Sequence, residues 1–235
     1  MSAKMTEQQI VLQEKQNTGT AWTHNEEFEK NGYLVIKELW DAKELYHPLP
    51  EISGLLNYWG KNLDQFNYSP VEDQVEGSTA RYWHPQYRSV HNDIRLRLEK
   101  IIGRKLYNTY YYDRFYRSGM ELPRHVDRDA CEISVSINVS TDLKEPWAFR
   151  IKTPDTYTDK DKTEILTLGK WENLYLAPGD AVLYKGAERP HERIPMPYGK
   201  FRFFKKRKAC YYHNIFFHYV LQDGQRAHCA WDQAR

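Results

Sequence analysis

"RHVDRDACEISVSINVS", residues 124–140, sets a histidine and an aspartate one residue apart, just ahead of a stretch in which polar and apolar side chains alternate. Alternation with a period of two marks a strand, because successive side chains point to opposite faces. Ile133, Val135 and Ile137 then share one face, and Ser134, Ser136 and Asn138 the other. By the same rule His125 and Asp127 look to one side while Val126 turns away, so an imidazole and a carboxylate aim at one point. Two neighbouring ligands of this kind suit an octahedral ion, and they ask for a third.

The stretch sits in a strand-rich half of the chain. "YNTYYYDRFYRSG", "EISVSINVS", "WAFRIKT", "NLYLAPGDAVLYKG", "HERIPM" and "HNIFFHYVLQDG" read as strands set apart by Gly, Pro, Asp and Lys clusters. Strands without intervening helices imply an antiparallel sandwich or barrel. Upstream, "EEFEKNGYLVIKEL" reads as a helical turn stopped at Asn31-Gly32 and followed by a strand from Tyr33 to Ile36. A short helix broken by Pro48 and Pro50 is expected in "DAKELYHPLPEISGLLNYWG". In "SVHNDIRLRLEKIIGRKL", Ile94, Leu98, Ile101 and Ile102 fall on one helical face, with Asn92 as the expected cap and Gly103 as the stop. Such a helix should lie across a sheet.

The expected class is therefore mainly β with some helix (α+β). The expected layout is a single domain over 1–235: a flexible tail at 1–20, a helical support region at 21–105 packed on one sheet, a β core at 106–222 and a C-terminal tail at 223–235.

Composition narrows the function. With 34 basic and 32 acidic residues the formal charge is +2, too small to create a global field for nucleic acid or a membrane. The basic run at 205–208, "KKRK", is expected to be a solvated turn. There is no apolar run of about 18 residues, and the opening twenty lack the apolar stretch of a secretory signal. A soluble, cytoplasmic protein is expected, with no membrane or nucleic-acid partner. Cys131, Cys210 and Cys229 are odd in number and widely spaced, which argues against a disulfide framework or a structural zinc cluster.

His191, at the start of a strand that follows a Pro-Gly-Asp turn, is the expected third ligand. Two strands far apart in sequence can become neighbours in a jelly roll. Two histidines and one carboxylate with open positions form the facial triad of non-heme iron(II) oxygenases. His213 or His218 is the alternative third ligand, and His218 could instead support the ligands from behind. His24, His84 and His91 read as surface or packing residues.

"YRSGMELPRHVD", then "PGDAVLYKG", then "HERIP" resembles the iron(II)/2-oxoglutarate-dependent dioxygenases, and in particular their prolyl-4-hydroxylase-like branch. The shared pattern is Tyr116, Gly119, Leu122, His125 and Asp127, with Pro195 four residues beyond the distal histidine, and it spans roughly residues 105–221.

The resemblance implies a double-stranded β-helix, that is, a jelly-roll or cupin-like barrel. It implies His125, Asp127 and His191 as iron(II) ligands, 2-oxoglutarate and dioxygen as cosubstrates, and ascorbate as a reductant. Tyr116 matches a tyrosine whose hydroxyl bonds 2-oxoglutarate. The cosubstrate's far carboxylate needs a cation, because burying that charge unpaired is costly. The family's position for it falls at Lys200 to Arg202, in "GKFRFFKKRKACYYH", which is longer than the usual hairpin. Arg193, two residues from His191 and so on the ligand face, competes with Lys200 for the role, and Arg202 ranks behind both. Arg114, on the face of Tyr116, reaches the cosubstrate or the substrate, or else pairs with a neighbour such as Glu132. Ser136, with Ser134, lines the same pocket or a solvent-facing stripe.

The implied activity is hydroxylation of a prolyl, amino-acid or other small substrate. Two alternatives stand beside it: a cupin-like metal enzyme that does not use 2-oxoglutarate, and a non-catalytic jelly-roll binding module.

Overall fold

The computed structural model describes residues 23–48, 68–69, 74–160, 163–200 and 207–231. The expected tail at 1–20 lies outside the described residues, as do residues 49–60 of the stretch in which a short helix broken by Pro48 and Pro50 is expected; its described part, 41–48, forms turns and no helix. Helix α1 (Thr23–Asn31) stops at Gly32, whose φ of 75° few other residues adopt at low cost, and strand β1 (Tyr33–Ile36) follows at once.

Helix α2 (Arg88–Ile102) ends at Gly103 in the left-handed region, as expected, but it begins earlier than the Asn92 cap predicts. A single 3₁₀ turn, Pro85–Tyr87, leads directly into it, and Pro85 presets the backbone angle of that turn. Asn92 consequently lies within the helix, where its Oδ1 accepts from Arg95 Nη2 at 3.1 Å.

The remaining strands are β2 (Tyr68–Ser69), β3 (Thr79–Tyr82), β4 (Leu106–Arg117), β5 (Leu122–His125), β6 (Ile133–Thr141), β7 (Phe149–Lys152), β8 (Thr156–Lys160), β9 (Thr163–Thr167), β10 (Trp171–Leu174), β11 (Ala181–Tyr184), β12 (His191–Arg193), β13 (Gly199–Lys200), β14 (Arg207–Lys208) and β15 (Tyr211–Leu221). They form a seven-stranded sheet in the order β1-β11-β6-β15-β4-β3-β2 and a four-stranded sheet in the order β10-β7-β12-β5, plus the two-stranded ribbons β8-β9 and β13-β14. The pairings within the sheets are antiparallel. "NLYLAPGDAVLYKG" is thus two strands, β10 and β11, in different sheets, and the Pro178-Gly179-Asp180 turn carries the chain between them.

The two faces of the larger sheet differ as the alternation in 132–140 predicts. Ile133, Val135, Ile137 and Val139, with Ile215, Phe217 and Tyr219 of β15, join Ile94, Leu98 and Ile102 of α2 and Phe28 of α1 in one buried cluster. Each such aliphatic or aromatic side chain contributes about 1.5–3 kcal/mol by leaving water, so this face fixes the helices to the sheet. The opposite face carries Ser134, Ser136, Asn138, Tyr112, Arg114, Tyr116, Tyr212, Asn214 and His218, all buried.

The smaller sheet covers that polar face. Phe149 and Ile151 pack on Val182 and Tyr184 at one place, and Leu122, Trp147 and Met196 pack with Tyr116 and Tyr212 at another. Among the described residues no ladder of hydrogen bonds joins the two sheets, so the barrel expected from the resemblance is seen as two facing antiparallel sheets that do not close. Among the described residues no helix is long and apolar enough to cross a membrane.

Candidate metal centre

Strand β12 pairs with β5 so that His191 stands opposite His125. The chain bends as β5 ends, and the backbone N–H of Asp127 donates to Gly186 O at 2.9 Å. This brings Asp127 Oδ1 to 3.4 Å from His125 Nε2 and 3.5 Å from His191 Nε2. His125 and Asp127 therefore converge as the i, i+2 spacing predicts, although Asp127 lies just beyond the strand and is held by the β11 end.

Both imidazoles present Nε2 to the centre for the same reason. His125 Nδ1 lies 2.7 Å from Pro123 O, and His191 Nδ1 lies 3.0 Å from Arg189 O. A carbonyl only accepts, so each Nδ1 carries the proton and each Nε2 keeps its lone pair for an ion. His191 is buried and packed against Tyr184 and Phe149, with ring centroids at 4.8 and 5.4 Å. His125 and Asp127 are partly open to solvent. Burial alone would push the Asp127 carboxyl up, but the neighbouring His125 and His191 imidazoles outweigh it and hold the group well below the usual carboxylate range. Two neutral nitrogen donors and one carboxylate within 4.8 Å of one another fit a divalent ion of the iron(II) type.

A second trio, Asp127, Cys131 and His218, also lies within 4.8 Å. Its middle is taken by the Ser134 hydroxyl, which bonds Asp127 Oδ2 at 3.0 Å and His218 Nδ1 at 2.9 Å. Burial lowers the His218 imidazole to a pKa of about 4. The alternative third ligands are thus placed elsewhere: His218 stands behind Asp127, and His213 bonds Asp113 on the opposite face of the larger sheet at 2.7 Å.

Arg193 follows His191 on β12 and is 1% exposed. Its guanidinium sits 4.7 Å from the Trp147 ring centroid and 4.8 Å from that of Tyr212, and Nη1 donates to Trp147 O at 3.0 Å. Among the described residues its Nε and Nη2 have no hydrogen-bond partner, and nor do Asn138 Oδ1 and Asn214 Oδ1. Buried donors left bare cost about 1–3 kcal/mol each, more when charged, and these two nitrogens can receive an anionic group.

Tyr116 is fully buried beside them, edge-on to Trp147 with centroids 5.1 Å apart. Arg114 donates from Nη1 to the Tyr116 hydroxyl at 3.3 Å and from Nη2 to Gln74 Oε1 at 3.0 Å. Glu132, its expected ion-pair partner, instead accepts from the Leu221 N–H at 2.8 Å. Ser136 is buried on the inner face and accepts from Asn214 Nδ2 at 2.6 Å, so its stripe does not face solvent. Lys200 lies on β13, in a ribbon separate from both main sheets, and Arg202 lies outside the described residues.

Two residues here escape sequence reasoning. Gly186 reads as turn punctuation after β11, yet a Cβ there would overlap Asp127 Oδ2 and Cys131 O and stand 2.6 Å from Ser134 Oγ. Gln74 comes from a polar loop with no periodicity, and its Nε2 donates to His125 Nε2 at 2.9 Å.

No family model and no curated protein matches this sequence. Solved structures do resemble the fold. A prolyl hydroxylase from Trichoplax adhaerens in complex with a hypoxia-inducible-factor peptide superposes with a TM-score of 0.56 at 13% identity, over 98% of this chain and 99% of that one. A 2OG-Fe(II) oxygenase-family oxidoreductase from Burkholderia pseudomallei gives 0.53 at 13% identity, over 87% and 91%. A prolyl-4-hydroxylase from Pseudomonas putida gives 0.50 at 13% identity, over 85% and 98%. The chain has the fold of the 2-oxoglutarate-iron(II) oxygenases, including their prolyl-hydroxylase branch, as the motif around His125 implies.

Proposed function

We propose that the protein is a non-heme iron(II)- and 2-oxoglutarate-dependent dioxygenase that hydroxylates a prolyl, amino-acid or other small substrate. In this reading the two facing sheets are the halves of a double-stranded β-helix. His125 Nε2, His191 Nε2 and Asp127 Oδ1 hold the ion at one end of the inter-sheet space. Iron(II) bound there supplies dioxygen activation coupled to oxidative decarboxylation of 2-oxoglutarate, giving succinate, carbon dioxide and oxygen insertion into a C–H bond.

The chain's own part is to bind, orient and exclude water. Arg193 grips the far carboxylate of 2-oxoglutarate through Nε and Nη2, a planar fork suited to two parallel bonds. The Tyr116 hydroxyl supports the same ligand, with Arg114 behind it. Trp147, Phe149 and Tyr212 form a dry box around the guanidinium, which strengthens its hold on an anion.

The observation that carries this reading is Arg193: a buried cation with two bare nitrogens, two residues along the strand from a metal-facing histidine. A cupin-like enzyme without 2-oxoglutarate, or a binding module, has no need of a buried cation there, whereas a buried 2-oxoglutarate carboxylate requires one.

Protein purified without air and loaded with iron(II) and 2-oxoglutarate is then given oxygen, and succinate is measured. Slow succinate formation without added substrate, absent in His125→Ala, is expected. Bound metal without succinate would favour the two alternatives.

A further inference from the structure

The carboxylate that completes the trio is itself held from behind. Asp127 Oδ1 faces His125 and His191, whereas Oδ2 meets the Ser134 hydroxyl at 3.0 Å. Ser134 Oγ lies in turn 2.9 Å from His218 Nδ1 and 3.1 Å from Cys131 O.

Proton counting sets the direction of this chain. An ionised carboxylate only accepts, and a serine hydroxyl has one proton to give. Ser134 therefore donates to Asp127, the stronger acceptor, and His218 Nδ1–H donates to Ser134. Neutral and charged imidazole can both supply that donor, so the direction does not depend on the ring's charge. His218 Nε2, left over, is the ring nitrogen without a partner among the described residues.

The chain is also rigid. Ser134 is 0% and His218 2% exposed, and the His218 ring packs against Tyr110 and Tyr112 with centroids at 4.6 and 5.8 Å. His91 Nε2 holds the His218 carbonyl at 3.1 Å.

We propose that Ser134 and His218 are positioning residues that tie back Asp127 Oδ2, so that Asp127 offers the ion one oxygen only. This rests on the metal-centre reading above. Without the tether the carboxylate turns on its Cβ–Cγ bond, Oδ2 competes for a coordination position needed by cosubstrate or oxygen, and the ordering entropy of binding rises.

The test uses the full chain and Mn²⁺ as the probe, with free ion followed by electron paramagnetic resonance and folding by thermal melts. Ser134→Ala and His218→Phe are each expected to weaken Mn²⁺ binding about tenfold, the lower end for groups that orient metal ligands. His218→Asn, whose amide N–H takes the place of Nδ1–H, restores affinity to within about threefold. The double variant Ser134→Ala/His218→Phe binds no more weakly than Ser134→Ala, because both act through one chain. Ser134→Cys keeps the volume with a weaker donor, and it serves if Ser134→Ala melts below the assay temperature.

Wild-type affinity in both Ser134→Ala and His218→Phe, losses that multiply in the double variant, or a His218→Asn as weak as His218→Phe would overturn the tether. If His125→Ala binds Mn²⁺ as well as wild type, the metal-centre reading fails and the tether falls with it.

Discussion

His191 stands opposite His125 across the β5–β12 pair, with ring centroids 4.3 Å apart and planes inclined at 57°. Residues paired across an antiparallel ladder have neighbouring side chains whatever their separation in sequence. The site thus depends on one strand register, and a slip of one residue in either strand would turn that strand's ring to the far side of the small sheet.

Removing His191 tests that register most directly. His191→Ala should lower iron(II) or Mn²⁺ affinity by more than about 100-fold, beyond the loss seen for residues that only orient ligands. Metal content after desalting measures it, and a full equivalent retained by the variant would move the centre elsewhere.

Gly186 should prove as important as a ligand although it binds nothing. Adding a methyl group forces Asp127 and the Cys131 carbonyl apart, and overpacking of this kind costs about 1–3 kcal/mol. Gly186→Ala should lose both melting temperature and metal affinity. An unchanged metal titration would show that the β11 end does not set the carboxylate.

Arg193 should trade stability against binding. A buried cation without a charged partner is costly, so Arg193→Met should leave the ligand-free protein as stable as wild type or more so. The same change should raise the KM for 2-oxoglutarate by more than about tenfold, and Arg193→Lys should not rescue it, because an ammonium cannot make two parallel bonds. Melting curves and succinate kinetics on the same samples check both halves.

The Arg81–Asp113–His213 network on the outer face should behave as a structural lock. Arg81 Nε donates to Asp113 Oδ1 at 2.9 Å and His213 Nε2 lies 2.7 Å from Oδ2, with Asp113 wholly buried. Asp113→Ala strands two donors in the interior and should cost about 3–5 kcal/mol in denaturant unfolding. A loss below about 1 kcal/mol would mean that water reaches the network.

Stability should fall as pH drops below the ordinary histidine range. Burial lowers His84 to about 4, His91 to about 3 and His218 to about 4, while unfolded histidine titrates near 6.5. Between those values the unfolded chain binds more protons than the folded one, so stability is complete above about pH 6.5 and declines as pH drops toward 4. Asp113 and Asp127 are held below their ordinary range, so their contribution is lost only at lower pH still. Thermal melts at pH 7.5, 6 and 5 should show the decline, with a shallower slope in His91→Phe.

Much of this was legible from residue types and spacing. The 132–140 alternation marked which face of β6 is apolar, because a pleated strand leaves its side chains no other arrangement. Gly32 and Gly103 stopped their helices where a left-handed backbone was needed. His125 and Asp127 could be paired because their separation is local.

The rest depended on contacts between distant segments. Asn92 reads as a cap from composition, but the helix start is set by Pro85 and by the packing of Tyr87 in the core. Gln74 and Gly186 carry no local signal; each matters only through what the fold sets beside it.

The sequence alone set an imidazole and a carboxylate two residues apart and determined that an amphipathic strand follows, the latter a consequence of a two-residue repeat. Tertiary structure alone brings His191, the expected third ligand, beside them while His213 and His218 lie elsewhere, and leaves Arg193 as the buried cation with nitrogens to spare. Those choices follow from strand order and register across the two sheets, and long-range pairing is set by the burial of whole faces, which no short stretch encodes.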